Sequence, residues 1–244
     1  MIYGQISQTA FLENKARPVE SEATIYLSDQ RGRTQSDGHQ SFHSFNFGSY
    51  QREHRKPFKN LVALNDETLM PGACSTYSIP DNYLIFLLPV IGGIEYRISH
   101  EGVENFLDVG HSILLNAKKG FELTITNVFE SEPVNFICCW FLDKSPIDQQ
   151  SVVTTFELDA SKDSLINLFS AININCWIGK FGGRKDNALK LTPHFKDVFA
   201  FVLEGAFELQ NRLLQQKDGL SMTHVSELEF EALSNDAILL IFEL

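Results

Sequence analysis

Two hydrophobic patterns recur along the chain, and each predicts a different kind of strand. Tyr83 to Val90, Ser112 to Leu115 and Val134 to Phe141 are apolar nearly throughout and read as strands buried on both faces. Elsewhere apolar and polar residues alternate, which marks strands with one buried face: Ile94, Tyr96 and Ile98 against Glu95, Arg97 and Ser99, then Phe121, Leu123 and Ile125 against Glu122, Thr124 and Thr126. Nearer the amino terminus, Ala23 to Leu27 predicts a short strand. Ser28 to Gly38 is dense in turn formers and predicts a loop, and alternation puts His43, Phe45 and Phe47 on one strand face. Leu61 to Leu64 predicts another short strand, ended by a turn at Asn65-Asp66, and Gly92-Gly93, Gly110 and Glu132-Pro133 mark further turns. Short strands so closely punctuated predict an all-β sandwich or barrel.

Residues 143–151, DKSPIDQQS, read as a linker, which divides the chain into domains at 1–142 and 152–244. Past the linker, Asp163 to Ser170 fits a helix or a strand equally well. The rest repeats the first half. Phe86-Leu-Leu-Pro-Val-Ile-Gly-Gly-Ile-Glu95 lines up with Phe199-Ala-Phe-Val-Leu-Glu-Gly-Ala-Phe-Glu208, so that Gly92 falls opposite Gly205 and Gly110 opposite Gly219. The final strands, Val134 to Phe141 and Ala237 to Leu244, also correspond. Tandem duplication of one barrel unit accounts for the length.

Composition narrows the function classes. A net charge of −11 and a pI near 5.1 oppose a nucleic-acid partner, whose phosphates demand clustered Lys and Arg. The nearest basic group, Arg52, His54, Arg55, Lys56 and Lys59, reads as a solvated loop. The longest apolar run, Tyr83 to Ile94, is interrupted by Pro89 and two glycines and is too short to span a bilayer, so no membrane association is expected. No secretory signal is visible at the amino terminus. Four cysteines without metal or redox spacing suit a reduced, cytoplasmic setting, and adjacent Cys138 and Cys139 should face opposite sides of one strand.

HSFNFGSY at 43–50, LVALNDETLMPG at 61–72 and the strand-turn block that follows carry a resemblance to the pirin-like bicupins, the quercetin 2,3-dioxygenase-like branch of the cupin superfamily. The matching positions include His43, Phe45, Phe47, Tyr50, Leu64, Asn65, Pro71, Gly72, Gly92, Glu95, Gly110, Gly120, Asn127, Glu132, Pro133 and Trp140, and then Leu203-Glu-Gly205 in the second half. The resemblance covers about residues 23 to 244. It implies two tandem cupin barrels, of double-stranded β-helix or jelly-roll type, packed face to face and joined by the amino-terminal segment.

In that family the first barrel holds one metal through a His-x-His pair, a later His and a Glu two residues beyond it. Ungapped counting puts the pair at Ser78 and Pro80 and the later two at Leu123 and Ile125. None of the four can serve as the family's ligands do, and aliphatic side chains cannot compensate a divalent cation for its lost hydration. No cofactor is expected. The expected function is a metal-free, non-enzymatic bicupin binding a small apolar ligand or a protein partner, with Ser78, Pro80, Leu123, Ile125, Phe121 and Tyr77 lining the former metal pocket. The alternatives are a metal-dependent quercetin 2,3-dioxygenase-type oxygenase and a regulatory interaction protein like the eukaryotic pirins. His43 should hydrogen-bond within the barrel. His100 and His111 are scattered singly, and His194, beside Pro193, and His224 read as surface or loop histidines, with His194 the one place where the second barrel could carry a site.

Overall fold

The runs without alternation become the central strands of two large sheets that pack against each other. A computed structural model describes residues 21–99, 102–144 and 150–244. His100 and most of the expected linker lie outside the described residues. The first large sheet orders its strands Val152–Thr155, His111–Ala117, Tyr83–Ile91, Val134–Leu142, Leu61–Leu69, His39–His43 and Gly32–Ser36. A smaller sheet of Cys74–Ser78, Glu122–Thr126, Ile94–Ile98 and Asn105–Leu107 completes the first barrel. The second barrel repeats this plan. Its large sheet runs Ala23–Tyr26, Gly219–Met222, Val198–Glu204, Ala237–Glu243, Ile174–Phe181 and Ser164–Ala171. Its small sheet runs Lys185–Lys190, Glu227–Ala232, Phe207–Leu209 and Arg212–Leu214.

Each barrel has its own apolar interior, and a third core lies between the large sheets. Strand Val134–Leu142 shows why its run had to be continuous. Phe136, Cys138 and Trp140 fill the first barrel, while Ile137, Cys139 and Phe141 enter the core between barrels. The two neighbouring cysteines therefore do point apart. Phe242 from the second barrel meets Phe141 at 5.3 Å and Phe86 at 6.0 Å between ring centroids, both edge-on. The packing is face to face.

The barrels also exchange strands. Ala23–Tyr26 pairs with Gly219–Met222 and so belongs to the second barrel's sheet, while Val152–Thr155 pairs with His111–Ala117 and belongs to the first. A boundary at residue 142 divides the chain by sequence, but the sheets cross it in both directions.

Several local expectations are corrected. Gly32–Ser36 and His39–His43 form a hairpin where a loop was expected, since Gly38 with φ 77° closes a tight turn between them. Asn65-Asp66 is no turn but the middle of a nine-residue strand. Phe45 packs between the barrels and Phe47 against the first interior, so they do not share a face. Residues 164–171 are a strand. Arg55 is not solvated: it is buried, donates to the Gln30 carbonyl at 3.1 Å and lies over the Tyr26 ring.

The glycine correspondence holds at one pair and fails at the other. Gly92 and Gly205 both take positive φ, at 67° and 76°, at the corners after equivalent strands. Gly219 instead opens a strand beneath the Phe199 ring. A Cβ on Gly205 would lie 2.3 Å from Ser234 Oγ and 2.8 Å from Ala237 Cβ. Gly205→Ala should therefore cost about 2 kcal/mol from left-handed strain plus overpacking, read as a lowered midpoint in thermal denaturation. An unchanged midpoint would mean that the corner relaxes freely.

Candidate functional site

The interior of the first barrel is not uniformly apolar. Along Leu61–Leu69, Ala63 and Leu69 face the barrel core, so period-two alternation sends Asn65 and Glu67 the same way. Both are fully buried. The next strand places Ser41 opposite Glu67 and His43 opposite Asn65. His39 Nε2 lies 2.7 Å from Glu67 Oε2. His43 is buried and tied at both ring nitrogens, Nδ1 to Asn65 Oδ1 at 2.8 Å and Nε2 to Thr34 Oγ1 at 2.9 Å. A neutral ring protonated at Nδ1 satisfies both contacts, with the Thr34 hydroxyl donating.

Aromatic rings form the rest of the wall. Phe47 meets Trp140 at 5.4 Å, Tyr77 at 6.2 Å and His43 at 5.6 Å. Trp140 also donates from Nε1 to Cys138 Sγ at 3.2 Å. Burial, with Glu67 nearby, pushes the Cys138 thiol far up, so it stays protonated and is no nucleophile. Burial and the same carboxylate push the Tyr77 phenol well above its ordinary value.

These groups surround a cavity of about 250 Å³ walled by His39, His43, Phe47, Glu67 and Tyr77, with exposed Gly48 and Ser49 at its mouth. Two atoms facing it are shielded from solvent without a well-formed hydrogen bond, Glu67 Oε1 and Tyr77 Oη. Larger depressions exist: an acidic trough of about 490 Å³ outside the second barrel, and a groove of about 320 Å³ between the barrels lined by Leu88, Val90, Phe156 and Ile178. Neither is lined by a shielded polar atom lacking a partner. The smaller cavity is the built one.

The residues singled out from sequence divide into two groups. Leu123 and Ile125 are buried in the barrel core, Phe121 packs against it, and Tyr77 faces inward directly opposite Leu123. Ser78 and Pro80 are exposed on the outer side and do not line the pocket, which corrects the expectation. The inward row on this strand is Ser75 and Tyr77, continued by buried Ile79. In a strand one residue reverses the face, so Ser78 points away from the interior that Tyr77 enters. Glu67, His39 and Asn65 were not foreseen as a site, although alternation onward from Ala63 would have found two of them. His194 is exposed and stacks on Phe195 at 4.2 Å, and His224 is exposed in a loop.

The inward positions nearest Tyr77 carry hydrocarbon at Leu123 and Ile125, and no group of three or more His, Cys, Asp or Glu side chains among the described residues is arranged to hold a metal ion. His39 and Glu67 are spent on each other, with Asn65 holding His43 away from them.

Comparison with known proteins gives concordant results. Residues 147–244 match the quercetinase C-terminal cupin domain family. The pirin-like protein YhaK of Escherichia coli is 30% identical over 132 residues, 52% of this chain and 54% of YhaK, so the chain matches about half the length of that relative. A Pasteurella multocida protein that bears the name of a quercetin 2,3-dioxygenase is 22% identical over 228 residues, 88% of this chain and 97% of its own. The crystal structure of YhhW from Escherichia coli superposes with a TM-score of 0.81 at 17% identity, covering 91% of this chain and 97% of that one, and YhhW is also known as a nickel(II) complex. These likenesses carry the fold. No helix among the described residues is long and apolar enough to cross a membrane.

Proposed function

We propose that this chain, which belongs to the pirin-like bicupins, works without a metal and uses its first barrel to bind a small organic molecule. One observation carries the reading. Leu123 and Ile125, the positions that the resemblance assigns to two metal ligands, are buried in the barrel core, and an aromatic-walled cavity with two polar atoms lacking a well-formed hydrogen bond lies in the same barrel. Mostly apolar walls with a few convergent polar groups are what small-molecule sites share. The ligand's body packs on Phe47 and Tyr77, and its polar end meets Glu67. Cys138, deeper in the barrel, stays protonated and offers no thiolate for covalent chemistry.

The second reading is a metal-dependent dioxygenase, favoured by the name of the Pasteurella relative and by the nickel complex of YhhW. The two readings part on elemental analysis of purified, tag-free protein for iron, nickel, copper, manganese and zinc. The metal-free reading expects the total to fall well below one ion per chain. A stoichiometric metal would overturn it and direct attention to residues other than Leu123 and Ile125.

A further inference from the structure

Resting on that pocket reading, we infer that the occupant is a small organic cation, a primary ammonium group on a compact hydrocarbon body. Glu67 has no exposed surface, and its Oε2 is held by His39, while Oε1 makes no well-formed hydrogen bond and has the Tyr77 hydroxyl as its neighbouring donor. A carboxylate oxygen accepts hydrogen bonds and donates none, so whatever completes it must bring an N–H or O–H. Leaving such an atom buried without a well-formed hydrogen bond is unfavourable, and a bound donor recovers that cost.

Three features select an ammonium over a neutral hydroxyl. The walls beside Glu67 are the rings of Phe47 and Tyr77, whose faces attract cations. Tyr77 Oη, in loose contact with Glu67 and Ser75, keeps lone-pair capacity to accept a second N–H. The protein as a whole carries a charge of −11, which raises the local concentration of cations and lowers that of anions. No lysine or arginine lines the cavity to neutralise Glu67, and its one basic neighbour, His39, occupies the other oxygen. A cavity of about 250 Å³ is far more than the roughly 30 Å³ that one water takes up, so a bridging water alone leaves most of it unfilled.

The test uses three probes of one shape on the whole chain, followed by titration calorimetry at neutral pH: benzylamine, benzyl alcohol and benzoate. Benzylamine should bind roughly tenfold or more tighter than benzyl alcohol, and benzoate should not bind measurably. Glu67→Gln should erase the preference for the amine while the alcohol still binds, and Tyr77→Phe should weaken the amine by a smaller factor. Equal or tighter binding of benzyl alcohol to the wild type would overturn the ammonium inference and leave the pocket reading standing. Failure of all three probes would overturn both. Should Glu67→Gln not fold, the wild-type series alone decides between these outcomes.

Discussion

Replacing Phe242 with alanine should destabilise the protein by about 3–5 kcal/mol, and the loss should fall on both barrels together. The ring is fully buried in the core between the large sheets and packs edge-on against Phe141 and Phe86 of the other barrel. Truncation removes the aromatic contacts and leaves a cavity that neither sheet can collapse into, because each is held by its own ladder. For a chain of this size the thermal midpoint should drop on the order of 10 °C. Calorimetry should show one transition before and after the change. Two transitions, with only one displaced, would mean that the barrels fold independently.

Glu243→Ala should be nearly as severe, at about 3–5 kcal/mol. This carboxylate is completely buried beside the second barrel's core, yet it accepts four hydrogen bonds. It accepts from Asn175 Nδ2 at 2.6 Å, Trp177 Nε1 at 3.1 Å, the Thr192 amide at 2.6 Å and the Thr192 hydroxyl at 3.2 Å. Asn175 sits directly opposite on the neighbouring strand, so the bond ties two strands of one sheet to the loop that carries Thr192. Alanine would leave several buried donors without acceptors. Glu243→Gln keeps the volume but turns an amide NH2 toward donors, so it should fall between wild type and alanine. Equal stability of Glu243→Ala and wild type by denaturant titration would show that water fully replaces the carboxylate.

The contrast between Glu243 and Glu67 explains what sequence reading could reach. Continuous apolar runs and the Gly92–Gly205 correspondence made the barrels and their duplication legible, because these depend on local period and composition, whereas the facing of the two barrels came from the family resemblance. The centre of Leu61–Leu69 was opaque for the opposite reason. Asn65-Asp66 looks like a turn since these side chains and that of Glu67 are answered only from afar. Asn65 meets His43, Asp66 meets Arg31, Lys217 and Asn135, and Glu67 meets His39. The aliphatic character of Leu123 and Ile125 could be read directly, and so could their shared face. Which residues of the facing strand joined them could not be counted, because Ser78 and Tyr77 differ by one position and point to opposite sides.

Ala23–Tyr26 and Val152–Thr155, each laddered into the sheet of the other half, make the chain a clasp. Swinging one barrel away from the other would require both ladders to unzip at once, along with separation of the aromatic core between them. Information about an occupied pocket near Glu67 therefore cannot travel as a domain closing over its ligand. It would have to travel as side-chain repacking within a rigid body, or be read from outside at the Gly48–Ser49 mouth.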